Sequence, residues 1–264
     1  MNYITRLFNT FLGIFAEIVY KSNIKGRIYI VRLLSRLAVG GAVRSVYGVW
    51  LTKNWNDATF EFSVIGAYGT DVYDAIRNIK TESIFLDIGS NTGLFAFVAE
   101  KNKYITECYA IEPNPNIFKY LENNKNLNNS NIKLLNIGIG DKVGVAGFDF
   151  DARHSGKGKV NVDGRGQSNV MLQNYKVFND IEKKYPNERF FCKIDVEGFE
   201  LVVIEQLQKS RIKNRLSGVI VEIDERRLSK SDIDKIITLL LESGLNDIKK
   251  YGKGVHYDLY FTAS

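Results

Sequence analysis

Three acids, each at the end of an apolar run, carry most of the chemistry open to this sequence. The first is Asp87 in Phe85-Leu-Asp-Ile-Gly-Ser-Asn-Thr-Gly93, where a run from Ile84 to Ile88 breaks into a glycine turn and opens into Leu94-Phe-Ala-Phe-Val-Ala-Glu100. Strand, glycine turn and helix in that order shape a nucleotide-sized pocket at the carboxyl edge of a parallel sheet. Glycine is required there wherever φ is positive or a ligand lies against the backbone. The acid precedes the first glycine and the spacing is not Gly-x-Gly-x-x-Gly. The turn therefore points to S-adenosylmethionine rather than a dinucleotide, with Gly89, Ser90, Asn91, Thr92 and Gly93 as the cradle. The second acid, Glu112, closes Cys108-Tyr-Ala-Ile-Glu112 and lies 25 residues beyond Asp87. A carboxylate at that point accepts both hydroxyls of a ribose diol. The bland alternatives are a solvated strand-end charge for Glu112 and a turn cap for Asp87.

The third acid lies in Phe190-Phe-Cys-Lys-Ile-Asp-Val-Glu-Gly-Phe-Glu200, another apolar run ending in charge and glycine. Lys193, Asp195 and Glu197 alternate, so on a strand they share one side. In a doubly wound sheet Asp195 falls beside the first strand and faces a sulfonium methyl. Transfer of that methyl to an alcohol needs in-line attack and removal of a proton from a weakly acidic hydroxyl, where a carboxylate base adds roughly 10²–10⁴-fold. Asp195 is the first candidate for that base and Glu197 the second, with His154 as a substrate-side base near neutral pH. The competing reading is an ion pair between Lys193 and a neighbouring acid that merely closes the strand end. Glu222 and Asp224 end a later apolar run and form, with Asp195, a weak alternative site for a divalent ion held by hard oxygen ligands. His256 is expected to be structural.

Asp87-Ile-Gly-Ser-Asn-Thr-Gly93, Glu112-Pro-Asn-Pro115 and Lys193-Ile-Asp-Val-Glu-Gly-Phe-Glu200 resemble, in order and spacing, the signature blocks of the FkbM-type methyltransferase family over residues 84–224. The resemblance implies a class I Rossmann-like fold, S-adenosylmethionine as donor and O-methylation of sugars or related hydroxylated metabolites. It also implies that Asp87, Gly89, Asn91 and Gly93 surround the methionine part, that Glu112 with Pro113 holds the ribose, and that Ile137-Gly-Ile-Gly140-Asp141 borders the adenine. The first 50 residues and the segment 150–176 lie outside the matching blocks.

These residues require an α/β domain with a parallel-dominated sheet covered by helices on both faces. Strands are predicted at 84–88, 107–112, 132–137, 190–195, 218–223 and 257–262, the last antiparallel near an edge. Helices are predicted at 70–79, 93–102, 115–127, 198–208 and 231–243. Residues 150–176, with Arg153, His154, Arg165, Gln167 and Asn169, read as a long polar loop that binds acceptor hydroxyls or a phosphate. Ahead of the domain at 54–264 stands an arm, 1–53, with Ile4, Leu7, Phe8, Phe11, Leu12, Phe15 and Val19 at helical spacing.

At 264 residues the chain allows one large domain with an appendage. Its net charge of +6 is divided unevenly: residues 1–53 hold eight Lys or Arg against Glu17 alone, a net +7, while the rest holds 28 bases and 29 acids. The neutral remainder lacks a basic groove, and Asp-Val-Glu-Gly is not a base-flipping clamp, so a nucleic-acid methyltransferase is the weaker enzyme reading. Two cysteines on predicted core strands, and no Cys-x-x-Cys spacing, point to a reducing cytoplasmic compartment without a zinc site. The arm's longest uncharged run, Leu7 to Ala16, is too short to span a bilayer. Residues 1–44 have the character of a helix for an anionic membrane surface, holding an enzyme peripherally at the inner face of the cytoplasmic membrane near lipid-linked sugars. A lid on the chain's own domain, a homodimer face, and a non-catalytic membrane protein with a residual cofactor fold are the alternatives.

Overall fold

A computed structural model describes residues 2–22, 24–151, 153–161 and 165–263. The N-terminal part contains α1 (Tyr3–Lys21), α2 (Arg27–Arg36), the short hairpin β1 (Ala42–Arg44) and β2 (Trp50–Thr52), α3 (Ala58–Ile65) and α4 (Thr70–Arg77). The first half of the main sheet follows as β3 (Ser83–Ile88), α5 (Leu94–Ala99), β4 (Ile105–Ile111), α6 (Pro115–Asn128) and β5 (Lys133–Leu135). A second sheet comes next, built from β6 (Gly138–Ile139), β7 (Gly144–Asp151), β8 (His154–Asn161) and β9 (Ser168–Gln173). The chain then returns through α7 (Lys176–Glu182), β10 (Arg189–Ile194), α8 (Glu200–Lys209), β11 (Leu216–Asp224), α9 (Lys230–Glu242), β12 (Asp247–Lys253) and β13 (His256–Thr262).

The main sheet runs β12-β13-β11-β10-β3-β4-β5, and β13 alone opposes the other strands. This is the class I arrangement that the resemblance implied, and the antiparallel last strand lies next to the edge as predicted. The central strands are buried on both faces, which is why β3, β10 and β11 read as near-continuous apolar runs. Alternation along β3 divides the core in two. Phe85 faces a cluster with α4, α5 and the N-terminal helices, while Ile84, Leu86 and Ile88 face a cluster with α7, α8 and α9.

The segment 150–176 is a correction to the expected long loop. It supplies the end of β7 and all of β8 and β9, although residues 152 and 162–164 lie outside the described ones. Ala146, Phe148, Val170 and Leu172 alternate along β7 and β9 and make a small core of their own. Phe148 of that core lines the cavity with Gly156 and Gly158 of β8, while the opposite face, with Val145, Asn169 and Met171, is open to solvent, so the segment lacks a sustained apolar alternation and has the composition of a loop. The strand predicted at 132–137 is shorter, β5 over Lys133–Leu135, and the chain leaves the main sheet before β6 begins in the second one.

α1 packs against the rest of the arm, and Arg6 and Tyr20 tie it to the domain at the carbonyls of Leu127 (3.2 Å) and Gly66 (3.0 Å). Gly13, Ala16 and Val19 are buried, and Asn9 is held by its amide donating to the carbonyls of Val39 (2.7 Å) and Ala42 (3.2 Å) and accepting from the Val39 N–H. Its bulky apolar side chains face outward, among them Ile4, Phe8, Phe11 and Ile18. Among the described residues no helix is long and apolar enough to cross a membrane.

The tightest constraint in the sheet lies at the end of β3. A Cβ at Gly89, where φ is +79°, would stand 1.8 Å from the backbone carbonyl oxygen of Asp195, because the two strand ends cross in van der Waals contact. Neither backbone can retreat without parting β3 from β10. Gly89→Ala is therefore expected to cost on the order of 2–4 kcal/mol, measured by urea unfolding. Gly254→Ala, at a similar φ but with open space around it, is expected to lose about 1 kcal/mol.

Candidate active site

A cavity of about 470 Å³ opens over the carboxyl ends of β3, β4, β10 and β11, within the roughly 300–1,000 Å³ common for small-molecule sites. One half is bounded by Gly89 to Thr92, by Glu112 and Pro113, and by Ile137 to Ile139. The other half is bounded by Lys193, Asp195, Glu197, Glu222 and His256. The roof comes from β8 and α3. Asn91 binds the Ser155 hydroxyl through its side-chain amide (3.2 Å), the Ser155 N–H donates to Asp57 (3.0 Å) and the Gly156 N–H to Thr59 Oγ1 (3.1 Å). The second sheet is thus stapled across the glycine turn to the start of α3.

The glycine turn and Glu112 are built as one unit. Asn91 adopts φ of 50°, a left-handed conformation that Asn tolerates. This aims its N–H at Glu112 Oε2 (2.9 Å), and the Asn114 N–H donates to Glu112 Oε1 (2.8 Å). Burial nevertheless pushes the Glu112 carboxyl up to about 7, against the pull of those two N–H groups. Each carboxylate oxygen retains a lone pair for a further donor on the cavity side. The Ser90 hydroxyl, buried in the same wall, has no hydrogen-bond partner within the protein. An orphaned hydroxyl costs free energy unless a ligand satisfies it. The donor half therefore fits a polyhydroxylated nucleoside such as that of S-adenosylmethionine.

Asp87 does not line the cavity. It lies fully buried beneath the turn, accepting the Ala96 N–H at Oδ2 (3.0 Å), with Oδ1 3.6 Å from Lys193 Nζ. Strand register explains the pairing, since Asp87 and Lys193 are direct neighbours on β3 and β10. Burial raises the Asp87 carboxyl to about 6, with Lys193 opposing the rise. Gly93, Gly140 and Asp141 are also away from the cavity surface. Gly93 packs under Leu121 and Phe97, Gly140 donates to the Gln173 carbonyl (2.8 Å), and Asp141 is exposed. Their neighbours Ile137, Gly138 and Ile139 are the residues of that segment that reach the site.

In the other half Lys193, only 4% exposed, lies 3.0 Å from Asp195 Oδ2, and Tyr68 donates its hydroxyl to the same oxygen at 2.7 Å. Burial opposes ionisation of Asp195, yet Lys193 and the Tyr68 hydroxyl hold its carboxyl below the usual range. Asp195 is therefore a fixed anion. Glu197 behaves differently. It is not on a strand, because β10 ends at Ile194, and it reaches the cavity from a turn in which its own φ is 58°. That strained conformation costs on the order of 1 kcal/mol or more and is held by an ion pair with Arg227, which also donates to the Glu197 carbonyl (2.9 Å). Burial and the Asp195 charge lift the Glu197 carboxyl to about 7.

Glu222 completes the cluster: oxygens of Asp195, Glu197 and Glu222 lie within 4.8 Å of one another. Burial and Asp195 push Glu222 well above the carboxylate range, and His256 Nε2 donates to its Oε1 at 2.8 Å. Asp224, expected to join Asp195 and Glu222 around an ion, is instead drawn to Arg226 (2.7 Å) and Arg227 (3.7 Å), and Glu197 stands in the third position. His154 lines the roof, with Nδ1 3.0 Å from Thr59 Oγ1.

Sequence reasoning missed Tyr68, the α3 residues Thr59, Phe62 and Ser63, the aromatic wall of Phe148 and Phe199, and the part played by His256. Only Tyr68 left a signal. It sits between Gly66 and Gly69, both at positive φ, immediately before the predicted helix.

The profile of the methyltransferase FkbM domain matches residues 87–246. Among solved structures, a methyltransferase from Pyrococcus furiosus is 14% identical, with 89% of this chain and 97% of that chain covered at a TM-score of 0.46. A precorrin-6y C5,15-methyltransferase from Geobacter metallireducens GS-15 is 12% identical over 76% of this chain and 89% of that one, at 0.43. A Pyrococcus abyssi tRNA (uracil-54, C5)-methyltransferase in complex with S-adenosyl-L-homocysteine is 8% identical over 85% of this chain and 45% of that one, at 0.49. No curated protein matches the chain significantly.

The buried acids make stability depend on pH. Asp87 at about 6, and Glu112, Glu197 and Asp258 at about 7, all lie above their unfolded values near 4. Between those limits the folded chain holds protons that the unfolded chain releases. Their contribution is complete below about pH 4 and is lost as the pH rises through 6 to 7. Asp195 works in the opposite sense only below about pH 4. The ligand-free protein is expected to lose roughly 5 °C or more in Tm between about pH 5 and pH 8. A flat or rising Tm over that interval contradicts the assignment.

Proposed function

The chain belongs to the FkbM methyltransferase domain family, and from that premise we propose that it methylates a hydroxyl of a sugar in a polysaccharide, glycolipid or nucleotide-sugar, with S-adenosylmethionine as donor. The observation that carries this reading is Glu197, a carboxylate lifted to about 7 beside the fixed anion Asp195, across the cavity from the glycine turn. An alcohol acceptor requires a base whose proton affinity is matched to neutral pH, and Glu197 meets that requirement better than Asp195. The expected order of the two candidates is therefore reversed.

When bound, the donor supplies an electrophilic methyl group on a positive sulfonium. The chain's own residues do the rest. Glu112 receives the ribose hydroxyls, the Ser90 hydroxyl gains a partner, and the glycine turn admits the ligand against its backbone. Asp195, held by Lys193 and Tyr68, offers a permanent negative charge beside the reacting centre, which favours a sulfonium in that half of the cavity. Glu197 would take the proton of the acceptor hydroxyl while the O–CH₃ bond forms and the S–CH₃ bond breaks to leave a neutral thioether, with Arg227 fixing the orientation of the carboxylate. Phe62, Phe148 and Phe199 give flat apolar walls for a ring, while Thr59, Ser63 and His154 give hydrogen-bonding groups between them. Such a mixture suits a polyol with one apolar face.

The test is methyl transfer from labelled S-adenosylmethionine to a panel of glycans and nucleotide-sugars. Glu197→Gln is expected to lower kcat by about 10²–10⁴-fold, with the donor's affinity unchanged within about threefold. A kcat within a few-fold of the parent removes Glu197 as base. Methylation of RNA or protein but of no sugar in the panel overturns the acceptor class.

A further inference from the structure

The N-terminal helices show an inversion of the usual pattern for a surface helix. Asn9, Gly13 and Ala16 of α1 are turned into the protein with Val19, and Leu12 and Tyr20 pack against its core, while Ile4, Leu7, Phe8, Phe11, Phe15 and Ile18 are turned out. Ile4 is 77% exposed, Phe11 65% and Ile18 60%, and on α2 Tyr29 and Leu33 are 74% and 63% exposed. A Cβ on Gly13 would stand 2.7 Å from the Arg44 side chain, so the docked face is held closely and the helix is not free to roll its apolar side inward. Exposed apolar surface on this scale, at i, i+3, i+4, i+7 spacing, marks an interaction face.

The arm's charge selects the occupant of this face: Arg44 turns to Glu17, Arg32 and Arg36 to Glu61 and Lys53 to the Ala38 carbonyl, while Lys21, Lys25 and Arg36 remain exposed. Residues 1–53 carry eight cationic side chains and one acid, and that acid, Glu17, is already held between Lys21 (2.8 Å) and Arg44 (3.1 Å). A second copy of the chain would oppose one +7 segment to another, which like-charge repulsion disfavours. A surface that is apolar in depth and anionic at its rim satisfies both features, and a lipid monolayer with acidic headgroups is such a surface. We propose that α1 and α2 lie flat in an anionic membrane interface, with the exposed apolar side chains among the acyl chains and the exposed Lys21, Lys25 and Arg36 at the headgroups. The helices cannot cross the bilayer, because α1 is tied to the domain where Arg6 donates to the Leu127 carbonyl (3.2 Å) and the Tyr20 hydroxyl to the Gly66 carbonyl (3.0 Å), and no described helix is long and apolar enough to span.

The site is one layer away. Glu61 of α3 joins Arg32 (2.8 Å) and Arg36 (3.3 Å) of α2, and the neighbouring α3 residues Thr59, Phe62 and Ser63 line the cavity. Anchoring at α1 and α2 therefore sets the roof of the cavity close to the lipid plane. This inference does not depend on which acceptor is methylated.

Flotation of the full chain with vesicles of phosphatidylcholine containing about 30 mol% phosphatidylglycerol tests it. The protein is expected to float with these vesicles, and at least ~10-fold less with phosphatidylcholine alone or at about 0.5 M salt. Phe8→Ser/Phe11→Ser/Phe15→Ser is expected to lower the partition by at least ~10-fold with Tm unchanged, since all three side chains are exposed in the folded protein. Equal flotation of the parent and the triple variant overturns the proposal. So does a parent that stays unbound, or one that sediments as a dimer which the triple variant splits.

Discussion

The buried ammonium of Lys193 is the interaction on which the site depends. It lies between Asp87 and Asp195, in register with the first and at the strand end beside the second, with its charge over the ring of Phe95. Two carboxylates that deep in the sheet would otherwise repel and take up protons. Breaking a buried pair of this kind commonly costs about 3–5 kcal/mol, because one charge is left without a partner. The ammonium does more than hold β10 against β3. It keeps Asp195 ionised, and the Asp195 charge in turn raises both Glu197 and Glu222. Three carboxyl groups thus acquire different proton affinities, Glu197 and Glu222 raised by burial and by the Asp195 charge, Asp195 held down by Lys193 and Tyr68.

A second constraint is spatial. The backbone of Asp195 passes so close to Gly89 that the strand end carrying the acids and the turn cradling a ligand form one rigid junction. The two halves of the cavity therefore keep a fixed separation, and the variable parts are the roof, from β8 and α3, and the wall from β13. Such a division, one rigid junction facing a wall of side chains, is suited to group transfer.

The sequence was most legible where chemistry depends on local motifs. The glycine turn, Glu112 and Asp195 sit where strand-turn-helix spacing puts them, and the last strand, after Gly252-Lys-Gly254, is antiparallel near the edge as expected. Asp87 shows the limit of that logic. Its place in the motif is fixed, but its carboxylate points under the turn to Ala96 and Lys193, a direction set by strand register that spacing does not encode. Residues 150–176 hid their strands because one face meets a cavity, where polar and glycine residues replace the apolar alternation that betrays a strand. Tyr68 and His256 reach Asp195 and Glu222 only through tertiary packing. In the arm, periodicity identified the apolar stripe of α1 but not its direction, which follows from how tightly Gly13 meets Arg44.

The central claim is that the glycine turn, Glu112 and the fixed anion Asp195 make one preorganised site for the donor. Calorimetric titration of S-adenosylhomocysteine into the purified chain tests it most directly. The account predicts saturable one-to-one binding with Kd on the order of micromolar, weakened about tenfold or more by Glu112→Gln. Absence of saturable heat, or equal binding by Glu112→Gln, would contradict it.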